Sequence, residues 1–402
     1  MESSSNPLME PFQLGPFALS HRVVLAPVTR CRATDHIPQP ANVLYYSQRA
    51  SPGGLLISEA AAVSQQGIGW PHSPGIWSDE QVQAWKPVVK AVHDKGAIFF
   101  CQLWHVGRAS HTCFQPRGQA PVSSTNNPLL PRWTVRLPDG TPVPCSAPRA
   151  LQTDEIPQLI TDFQLAARNA LAAGFDGVEI HAAHGYLLDQ FLKDGINDRD
   201  DAYGGSIANR SRLVLEILEA ICREAGPQRT AVRISPIIDH LGATDSDPVA
   251  LAHHLVAGFV KLGVLYLHAT EPAFSSSKMM TEGKSIFASS RDWNRSLGFL
   301  REATSGSSIA FLCSGGFTKE LGNAAIQSGY ADLVAYGRLF ISNPDLPARF
   351  ARHGDVQLNP YNRATFYTHH PVLGYIDYPC MDSREEEEEE EEEDRKKHPS
   401  KL

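Results

Sequence analysis

The sequence lacks three things: an excess of basic residues, a long apolar run and a metal-type spacing of cysteines. Its 402 residues include 36 lysines and arginines against 44 aspartates and glutamates. A chain without a basic excess has little attraction for nucleic-acid phosphates, so no nucleic-acid partner is expected. No apolar stretch reaches the roughly 18 residues that a membrane-spanning helix needs, so no membrane span is expected.

The seven cysteines are odd in number, and their spacing matches no zinc-binding pattern. Three of them (Cys31, Cys101 and Cys313) lie in or beside apolar runs, where a small thiol is expected to be buried. The opening residues, MESSSNPLMEPF, have neither a positive region nor a long apolar run, so they do not resemble a secretory signal. We therefore expect an intracellular protein with reduced thiols.

Eight short apolar runs recur along the chain, most of them followed by a helix-like segment. They cover residues 23–27, 54–63, 97–103, 177–181, 230–235, 264–270, 309–315 and 333–337. Alternating strands and helices predict a parallel sheet, and eight units in roughly 350 residues favour a closed (β/α)8 barrel, the TIM-barrel fold. The alternative is a doubly wound sheet, which would want a glycine-rich turn after its first strand, where this chain has LAPVTRCRAT.

Helices are predicted over 156–170, where apolar residues form one stripe, and over 211–224. Gly174 and Gly226 suit their C-terminal ends. Residues 109–150, after the third strand, are rich in Pro, Ser, Asn and Gly and are predicted to form a long loop that caps the site. Residues 1–383 are thus predicted to form one barrel domain, and 384–402, with nine consecutive glutamates, a disordered acidic tail.

In such a barrel the active site lies at the C-terminal ends of the strands. The seventh strand ends in Ser314, Gly315 and Gly316, and the eighth in Gly337 and Arg338. Small residues let backbone N–H groups approach an anion, and an arginine adds a forked charge. Ser-Gly-Gly alone would also suit a tight turn, but together the two strand ends predict a phosphate site.

The fourth strand ends in His181, with His184 and Tyr186 close behind. Three interpretations are open: metal ligands, buried structural histidines, or two N–H donors that bind one carbonyl oxygen. We favour the third, because two such donors stabilise an enolate and a nearby phenol can protonate its carbon. No metal site is expected, since no third ligand is obvious.

Three further strand-end residues suit a flavin. Thr29 and Gln102 are neutral donor–acceptor groups that match the pyrimidine edge of the ring. Arg233 would place a positive charge near flavin N1, where it would stabilise the anionic reduced ring. The alternative for Arg233 is a structural ion pair with Asp176 or Asp239.

Taken together, these strings resemble the old yellow enzyme family, and within it the plant 12-oxophytodienoate reductases. The match runs from near the N-terminus to about residue 379. Its motifs are LAPVTR (25–30), GGLLISEA (53–60), PHSPGIWSDEQV (71–82), QLWHVGRASH (102–111), GVEIHAAHGYLLDQFLKDGINDR (177–199), YGGSIANR (203–210), VRISP (232–236), CSGGFT (313–318) and AYGRLFISNPDLP (335–347).

The resemblance implies an FMN-dependent ene-reductase, which reduces a carbon–carbon double bond conjugated to a carbonyl. NADPH would reduce FMN and leave before the enone binds, in a ping-pong cycle. His181 and His184 would bind the enone oxygen, and Tyr186 would donate the proton. The isoalloxazine ring would be held by Pro27, Thr29, Ala60, Gln102 and Arg233. The phosphate would be held by Ser314, Gly315, Gly316, Gly337 and Arg338.

Within the plant family, PIIDHLGATDSDP (236–248) is similar to the jasmonate-forming branch, which implies 12-oxophytodienoate as substrate with Trp70 and His240 lining its site. The terminal tripeptide SKL (400–402) predicts a peroxisomal location and an import receptor as partner. The alternatives are a general enone-detoxifying reductase, a flavin-binding protein without turnover, and an interaction protein built on the acidic tail.

The chain also departs from the family pattern. Trp70 stands where the jasmonate-forming branch usually has phenylalanine, and Ala61 replaces a common threonine. Residues 274–304 follow the pattern poorly, which bears on the choice of substrate and of nicotinamide. The glutamate run, 385–393, is interpreted as a solvated spacer that presents the terminal tripeptide.

Overall fold

A closed barrel of parallel strands forms the centre of the computed structural model, which describes residues 6–272, 296–352 and 357–381. Within these residues the barrel strands are β1 Val23–Leu25, β2 Leu55–Ile57, β3 Ile98–Trp104, β4 Gly177–Ala182, β5 Thr230–Ile234, β6 Tyr266–Thr270, β7 Ala310–Ser314 and β8 Leu333–Tyr336. Each pairs in parallel with the next, and β8 pairs with β1, which closes the sheet. The predicted (β/α)8 barrel is therefore confirmed.

Helices surround the barrel and cover its apolar outer face. They are α1 Pro40–Arg49, α2 Asp79–His93, α3 Ile156–Ala173, α4 Leu187–Leu192, α5 Ile207–Ala225, α6 Pro248–Leu262, α7 Gly298–Thr304, α8 Lys319–Gln327, α9 Arg338–Ser342 and α10 Leu346–Ala351. Helix α3 shows why they form: its apolar stripe is buried, from Ile156 to Ala170 and beyond. It ends at Gly174, whose φ of 103° is left-handed backbone that glycine adopts without strain.

The predicted second strand, 54–63, is broken in the structure into β2 and a two-residue strand, Ala61–Ala62, which pairs with the end of β3. Side chains replace the ladder at the break. The backbone N–H of Glu59 donates to the Tyr46 hydroxyl at 2.8 Å, and the Ser58 hydroxyl accepts from the backbone N–H of Gln102 at 3.1 Å. Ala60, at the break, belongs to the same buried cluster as Trp104, the last residue of β3.

The predicted capping loop, 109–150, has more structure than expected. Thr134–Arg136 pairs antiparallel with Pro142–Pro144, and Val122–Ser123 pairs in parallel with Arg149–Ala150. Strands of two or three residues are too short to leave a periodic pattern in the sequence, which is why they were not predicted. The loop lies beside the strand ends, because the Trp133 ring contacts the His240 ring at a centroid distance of 4.9 Å.

A hairpin near the N-terminus, Phe12–Leu14 with Phe17–Leu19, covers the other end of the barrel. Leu14 and Leu19 join a buried cluster with Val24 and Phe100, and the Phe17 and Phe100 rings meet edge to face at 5.7 Å. The barrel is thus closed by apolar side chains at the N-terminal ends of its strands, which leaves the C-terminal ends for a site.

Cys31, Cys101 and Cys313 are buried, as predicted. Among the helices that the structure describes, none is long and apolar enough to cross a membrane. The predicted tail, 384–402, and most of the divergent segment, 274–304, lie outside the described residues, and so does the domain boundary at 383.

Candidate active site

Side chains from β3, β4 and β5 converge at the C-terminal end of the barrel. His181 of β4 is opposite Arg233 of β5 in the strand register, and Glu179 is opposite Gln102 of β3. All four side chains are buried. Because residues two apart on a strand face the same way, Glu179 and His181 point to the same face of the sheet. Glu179 bonds to side chains from β3 and β6, so that face is the interior of the barrel.

His181, His184 and Tyr186 form one aromatic cluster above the interior. The His181 ring centroid lies 5.4 Å from that of His184 and 5.2 Å from that of Tyr186. A sharp turn makes this possible: His184 has a φ of 57° and Gly185 one of 73°. A Cβ on Gly185 would lie 2.4 Å from the carbonyl oxygen of His240, so only glycine fits there.

Hydrogen bonds fix the turn. The backbone N–H of His184 donates to the Ser235 hydroxyl at 2.7 Å, and that of Gly185 donates to Asp189 Oδ2 at 2.8 Å. Both acceptors are buried: Ser235 follows the last residue of β5, and Asp189 lies in α4. The two imidazoles are therefore held by backbone contacts on both sides of the turn.

The protonation of His181 follows from its surroundings. The backbone N–H of Ala183 donates to His181 Nδ1 at 3.3 Å, so Nδ1 is an acceptor. Burial, with the nearby charge of Arg233, holds the pKa of His181 well below its usual value, so the ring is neutral at physiological pH. A neutral ring with an accepting Nδ1 carries its proton on Nε2. His181 thus offers one N–H donor.

Tyr186 lies against the ring of Trp104, edge to face at 4.8 Å. Burial raises the pKa of Tyr186 above its usual value, and a hydrogen bond with the Trp70 side chain opposes this rise only in part. The phenol therefore stays protonated at neutral pH and is available as an acid.

Arg233 lies below this cluster. Its Nη2 donates to the Thr270 hydroxyl at 3.1 Å and to the Ser314 hydroxyl at 3.4 Å. Its Nε is buried with no hydrogen-bond partner among the described residues. The alternative of an ion pair with Asp176 is wrong, because that carboxylate accepts from the backbone N–H of Phe99 at 2.7 Å, near the N-terminal end of β3, and bonds to His93.

A network of buried side chains that the sequence did not predict connects Arg233 to Gln102. His268 Nε2 lies 2.9 Å from the Ser314 hydroxyl, and His268 Nδ1 lies 2.9 Å from Glu179 Oε2. Gln102 Nε2 donates to Glu179 Oε1 at 2.6 Å. The Ser314 hydroxyl belongs to this network, and the assignment of Ser314 to the phosphate site, which rests on its backbone N–H group, stays a prediction.

The ends of β7 and β8 form a cradle of small residues. Gly315 and Gly316 have φ values of 113° and 93°, and a Cβ on Gly315 would lie 3.0 Å from the backbone nitrogen of Glu271. A Cβ on Gly337 would lie 3.2 Å from Val28 Cγ1. Arg338 is half-buried and hydrogen-bonds to the Tyr361 hydroxyl. The predicted phosphate residues are thus neighbours in the structure.

The remaining predicted residues line the same region. Pro27 and Ala60 are buried beyond the ends of β1 and β2, and Thr29 is half-buried. Trp70 contacts the ring of Tyr367 at 5.0 Å, and burial lowers the pKa of His240 to about 4. Within the described residues, no group of three or more His, Cys, Asp or Glu side chains could hold a metal ion.

Comparison with known proteins identifies the family. The sequence model of the NADH:flavin oxidoreductase / NADH oxidase family matches residues 7–357. The chain belongs to the old yellow enzyme family. It is 53% identical over 380 residues to 12-oxophytodienoate reductase 7 of Oryza sativa subsp. japonica, across 93% of this chain and 95% of that one. It is 52% identical over 379 residues to 12-oxophytodienoate reductase 2 of Arabidopsis thaliana, across 94% and 97%.

Solved structures of old yellow enzymes share the fold. A morphinone reductase in complex with tetrahydroNAD superposes with a TM-score of 0.83 at 40% identity, over 94% of this chain and 99% of that one. An old yellow enzyme homologue from Zymomonas mobilis superposes with a TM-score of 0.82 at 38% identity, over 92% and 99%. The chain is therefore a flavin oxidoreductase similar to the 12-oxophytodienoate reductases.

Membership of the old yellow enzyme family implies an FMN cofactor, and the described residues fit one. The buried Nε of Arg233 lacks a protein partner, as expected of a donor that a cofactor would satisfy. The glycine cradle leaves backbone room for a phosphate, with Arg338 beside it. When bound, FMN would be held by the ring and phosphate residues named above.

Several residues near the site were missed. Trp104 could have been found, because it follows Gln102 by two positions on the same strand and so faces the same way. Tyr367 lies far along the chain and gives no local signal. Glu179 and His268 lie within apolar runs, where a polar residue can face either the barrel interior or the helices.

Proposed function

We propose that this protein is an FMN-dependent ene-reductase, which reduces the carbon–carbon double bond of α,β-unsaturated carbonyl compounds with NADPH. One observation carries the proposal: the rings of His184 and of the protonated Tyr186 lie 5.4 and 5.2 Å from the ring of His181, as centroid distances, above the strand ends. This set of donors suits a carbonyl oxygen that gains negative charge and a carbon that gains a proton.

Each residue then has one role. His181 donates its Nε2–H to the carbonyl oxygen, and His184 is the second donor. Tyr186 gives its phenolic proton to the α-carbon. FMN, when bound, supplies the hydride for the β-carbon. Arg233, with its positive charge at the end of β5, favours the reduced, anionic form of the cofactor.

NADPH and the enone use the site in turn, in a ping-pong cycle. Both need the face that His181, His184 and Tyr186 cover, so the oxidised nicotinamide leaves before the enone enters. The complex of a related morphinone reductase with tetrahydroNAD is consistent with nicotinamide binding in this fold.

The substrate we propose is 12-oxophytodienoate, as a step in jasmonate formation. The names of the relatives from rice and Arabidopsis support this choice at 53% and 52% identity. Trp70, Trp133 and His240 give the site broad apolar surfaces suited to an oxylipin. We also propose import into peroxisomes through a receptor that binds the terminal SKL.

A second candidate is a reductase of many simple enones. The 40% identity to a morphinone reductase favours it, since that name denotes a different substrate on the same fold. The ratio of kcat/KM for 12-oxophytodienoate to that for cyclohexenone separates the two. A ratio near one favours the broad function, and a ratio on the order of 100 or more favours the specific one.

Anaerobic visible spectroscopy of the purified protein tests the activity. The expected flavin absorbance should bleach when NADPH is added and return when an enone is added. A protein with flavin that never recovers its absorbance with any enone would be a flavin protein without this turnover, and the proposal would be wrong. The same experiment with NADH in place of NADPH tests the nicotinamide preference.

A further inference from the structure

Five buried side chains from β3 to β7 form one continuous chain of hydrogen bonds beneath the site. In order they are Gln102, Glu179, His268, Ser314 and Arg233, and the bonds between them are 2.6, 2.9, 2.9 and 3.4 Å long. Its two ends, Gln102 and Arg233, are the residues assigned to the pyrimidine side of the flavin. Glu179 and His268 have no part in the mechanism described so far, and Ser314 is assigned only to the phosphate, through its backbone.

The direction of every bond follows from charge. Burial would raise the pKa of Glu179, but His268, Arg233 and Gln102 outweigh this and leave it below its usual value, so Glu179 is anionic and only accepts. Burial lowers the pKa of His268 to about 4, so its ring is neutral. His268 Nδ1–H must then donate to Glu179, and Nε2 accepts from the Ser314 hydroxyl.

The donors and acceptors at the two ends of the chain, Arg233 and Gln102, follow in the same way. Because Ser314 gives its proton to His268, its oxygen is the acceptor for Arg233 Nη2–H. Because Glu179 cannot donate, Gln102 must present its NH2 group to it, and the amide oxygen of Gln102 faces elsewhere. One carboxylate therefore sets the polarity of an amide on one side and the orientation of a guanidinium on the other.

We propose that Glu179 is a positioning residue for the flavin: it fixes the amide of Gln102 and the guanidinium of Arg233, and its charge lowers the reduction potential of the bound cofactor. This rests on FMN binding at the strand ends. The charge effect follows because an anion in the low-dielectric interior partly offsets Arg233, and Arg233 favours the anionic reduced ring.

Two variants of Glu179 distinguish its effect on the positions of Gln102 and Arg233 from the effect of its charge on the flavin. Glu179→Gln removes the charge and sets an NH2 group against that of Gln102 or His268, so FMN affinity should fall about tenfold. The oxidised-to-reduced equilibrium should shift about tenfold towards reduced flavin, which is ~30 mV for a two-electron couple. Glu179→Asp keeps the charge but shortens the side chain, so affinity should fall while the potential stays close to that of the wild type.

The measurements are FMN titration of the apoprotein by fluorescence and a midpoint potential from an anaerobic titration with a reference dye. Glu59→Gln is the matched control, because Glu59 is also buried but bonds to the backbone N–H of Arg30, outside the chain of five. At pH 8, above its pKa of about 7, Glu59 is ionised too. The control should leave the potential unchanged.

If neither Glu179 variant folds, Ser314→Ala is a milder substitution that tests the same proposal. It breaks the chain between His268 and Arg233 and keeps the bond between Glu179 and Gln102, so it should alter the potential with less effect on affinity. Wild-type affinity and potential in Glu179→Gln would overturn the proposal, and so would an equal shift in Glu59→Gln. A wild-type protein that binds FMN but reduces no enone would overturn the proposed function alone.

Discussion

Tyr186 shows how one buried hydroxyl can be assigned to one half of the reaction. Its phenol is protonated at neutral pH because burial raises its pKa. Tyr186→Phe should leave flavin reduction by NADPH nearly normal and slow reoxidation by an enone by about 10²–10⁴, the usual effect of general acid catalysis. Stopped-flow absorbance measures both halves separately.

The control for this change is Tyr203→Phe, which removes a hydroxyl that donates to Glu216 at 2.9 Å, away from the site. It should slow neither half-reaction. Equal slowing of both halves in Tyr186→Phe would mean that the residue supports the structure of the site and is not its acid.

The two imidazoles give a second prediction at the scale of the residue. A para-substituted phenolate resembles an enolate, so it should bind the oxidised protein tightly with a long-wavelength band. His181→Ala and His184→Ala should each weaken phenolate binding and enone reduction by roughly 10²-fold, the effect of losing one such donor, about 3 kcal/mol. FMN content should not change. Absorbance titration measures the affinity.

His93→Ala is the control, since His93 bonds to Asp176 before β4 begins. Unchanged phenolate affinity in both site variants would contradict the oxygen-binding role. Inhibition by chelators, with phenolate affinity indifferent to the histidines, would instead support the metal interpretation.

Residues at strand ends could be predicted, and those inside the barrel could not. A strand end is visible because an apolar run stops at polar residues, as at His181 and Arg233. Glu179 interrupts an apolar run, and the sequence alone does not say whether it faces the interior. The chain of hydrogen bonds beneath the site depends on strand register, which becomes known only when each strand from β3 to β7 is aligned with its neighbours.

At the scale of the element, helix α4 holds the loop that carries His240. Lys193, just after α4, is buried and donates to the carbonyl oxygens of Ser235, Ile238 and Ala243 at 2.9, 2.6 and 3.1 Å. Its Nζ also lies 3.4 Å from Asp189 Oδ2. Lys193 thus connects the loop that follows β5 to Asp189, which also accepts from the backbone N–H of Gly185 in the turn.

Lys193→Met should lower the free energy of unfolding by about 3 kcal/mol or more, because it leaves Asp189 buried without its cation. It should also raise KM for 12-oxophytodienoate more than for cyclohexenone, since His240 is no longer held. Urea unfolding and steady-state kinetics measure these effects.

Lys90→Met is a matched control, because Lys90 and Asp94 have the same i,i+4 spacing at 2.6 Å but are exposed. It should cost at most about 0.5 kcal/mol. A similar loss of stability in both variants would mean that burial of the Lys193 pair has no special effect.

Elements long enough to show a period were predicted closely, and short ones were not. Helix α3 begins at Ile156 as expected, and its stop at Gly174 follows from the glycine. The break after β2 depends on the hydroxyl of Tyr46, thirteen residues away from Glu59, which no local pattern reveals. The same is true of the short pairs in the capping loop, which are stabilised by contacts between distant segments.

For the whole molecule, the buried histidines predict how stability depends on pH. Burial lowers the pKa of each of six histidines far below the value of about 6.5 in an unfolded chain. They are His21, His105, His181, His184, His240 and His268. As pH falls below 6.5 the unfolded chain binds protons that the folded protein does not, so stability is lost towards pH 4.

Buried carboxyls whose pKa is raised, among them Glu59, Glu271 and Asp189, act in the opposite direction. Burial raises the pKa of Glu59 and Glu271 to about 7, so between pH 4.5 and 7 the folded protein binds more protons at these groups. The six histidines outnumber these carboxyls, so the free energy of unfolding should fall as the pH drops from 7 to 5. Urea unfolding at pH 7, 6 and 5 checks this, and a flat or rising stability over that range would contradict it.

The last prediction concerns the location of the whole chain. The tripeptide SKL ends the sequence, and a receptor can bind it only if the residues before it hold it away from the barrel. A run of like-charged glutamates precedes it in the sequence, a composition typical of a solvated spacer. Fused to a fluorescent protein at its N-terminus, the chain should enter peroxisomes, and deletion of 400–402 should leave it in the cytosol.

Deletion of 385–393 alone should not change the location if the run is only a spacer. A diffuse signal from the intact fusion would contradict the proposed location, and it would also weaken the case for a role in jasmonate formation while leaving the flavin chemistry untouched.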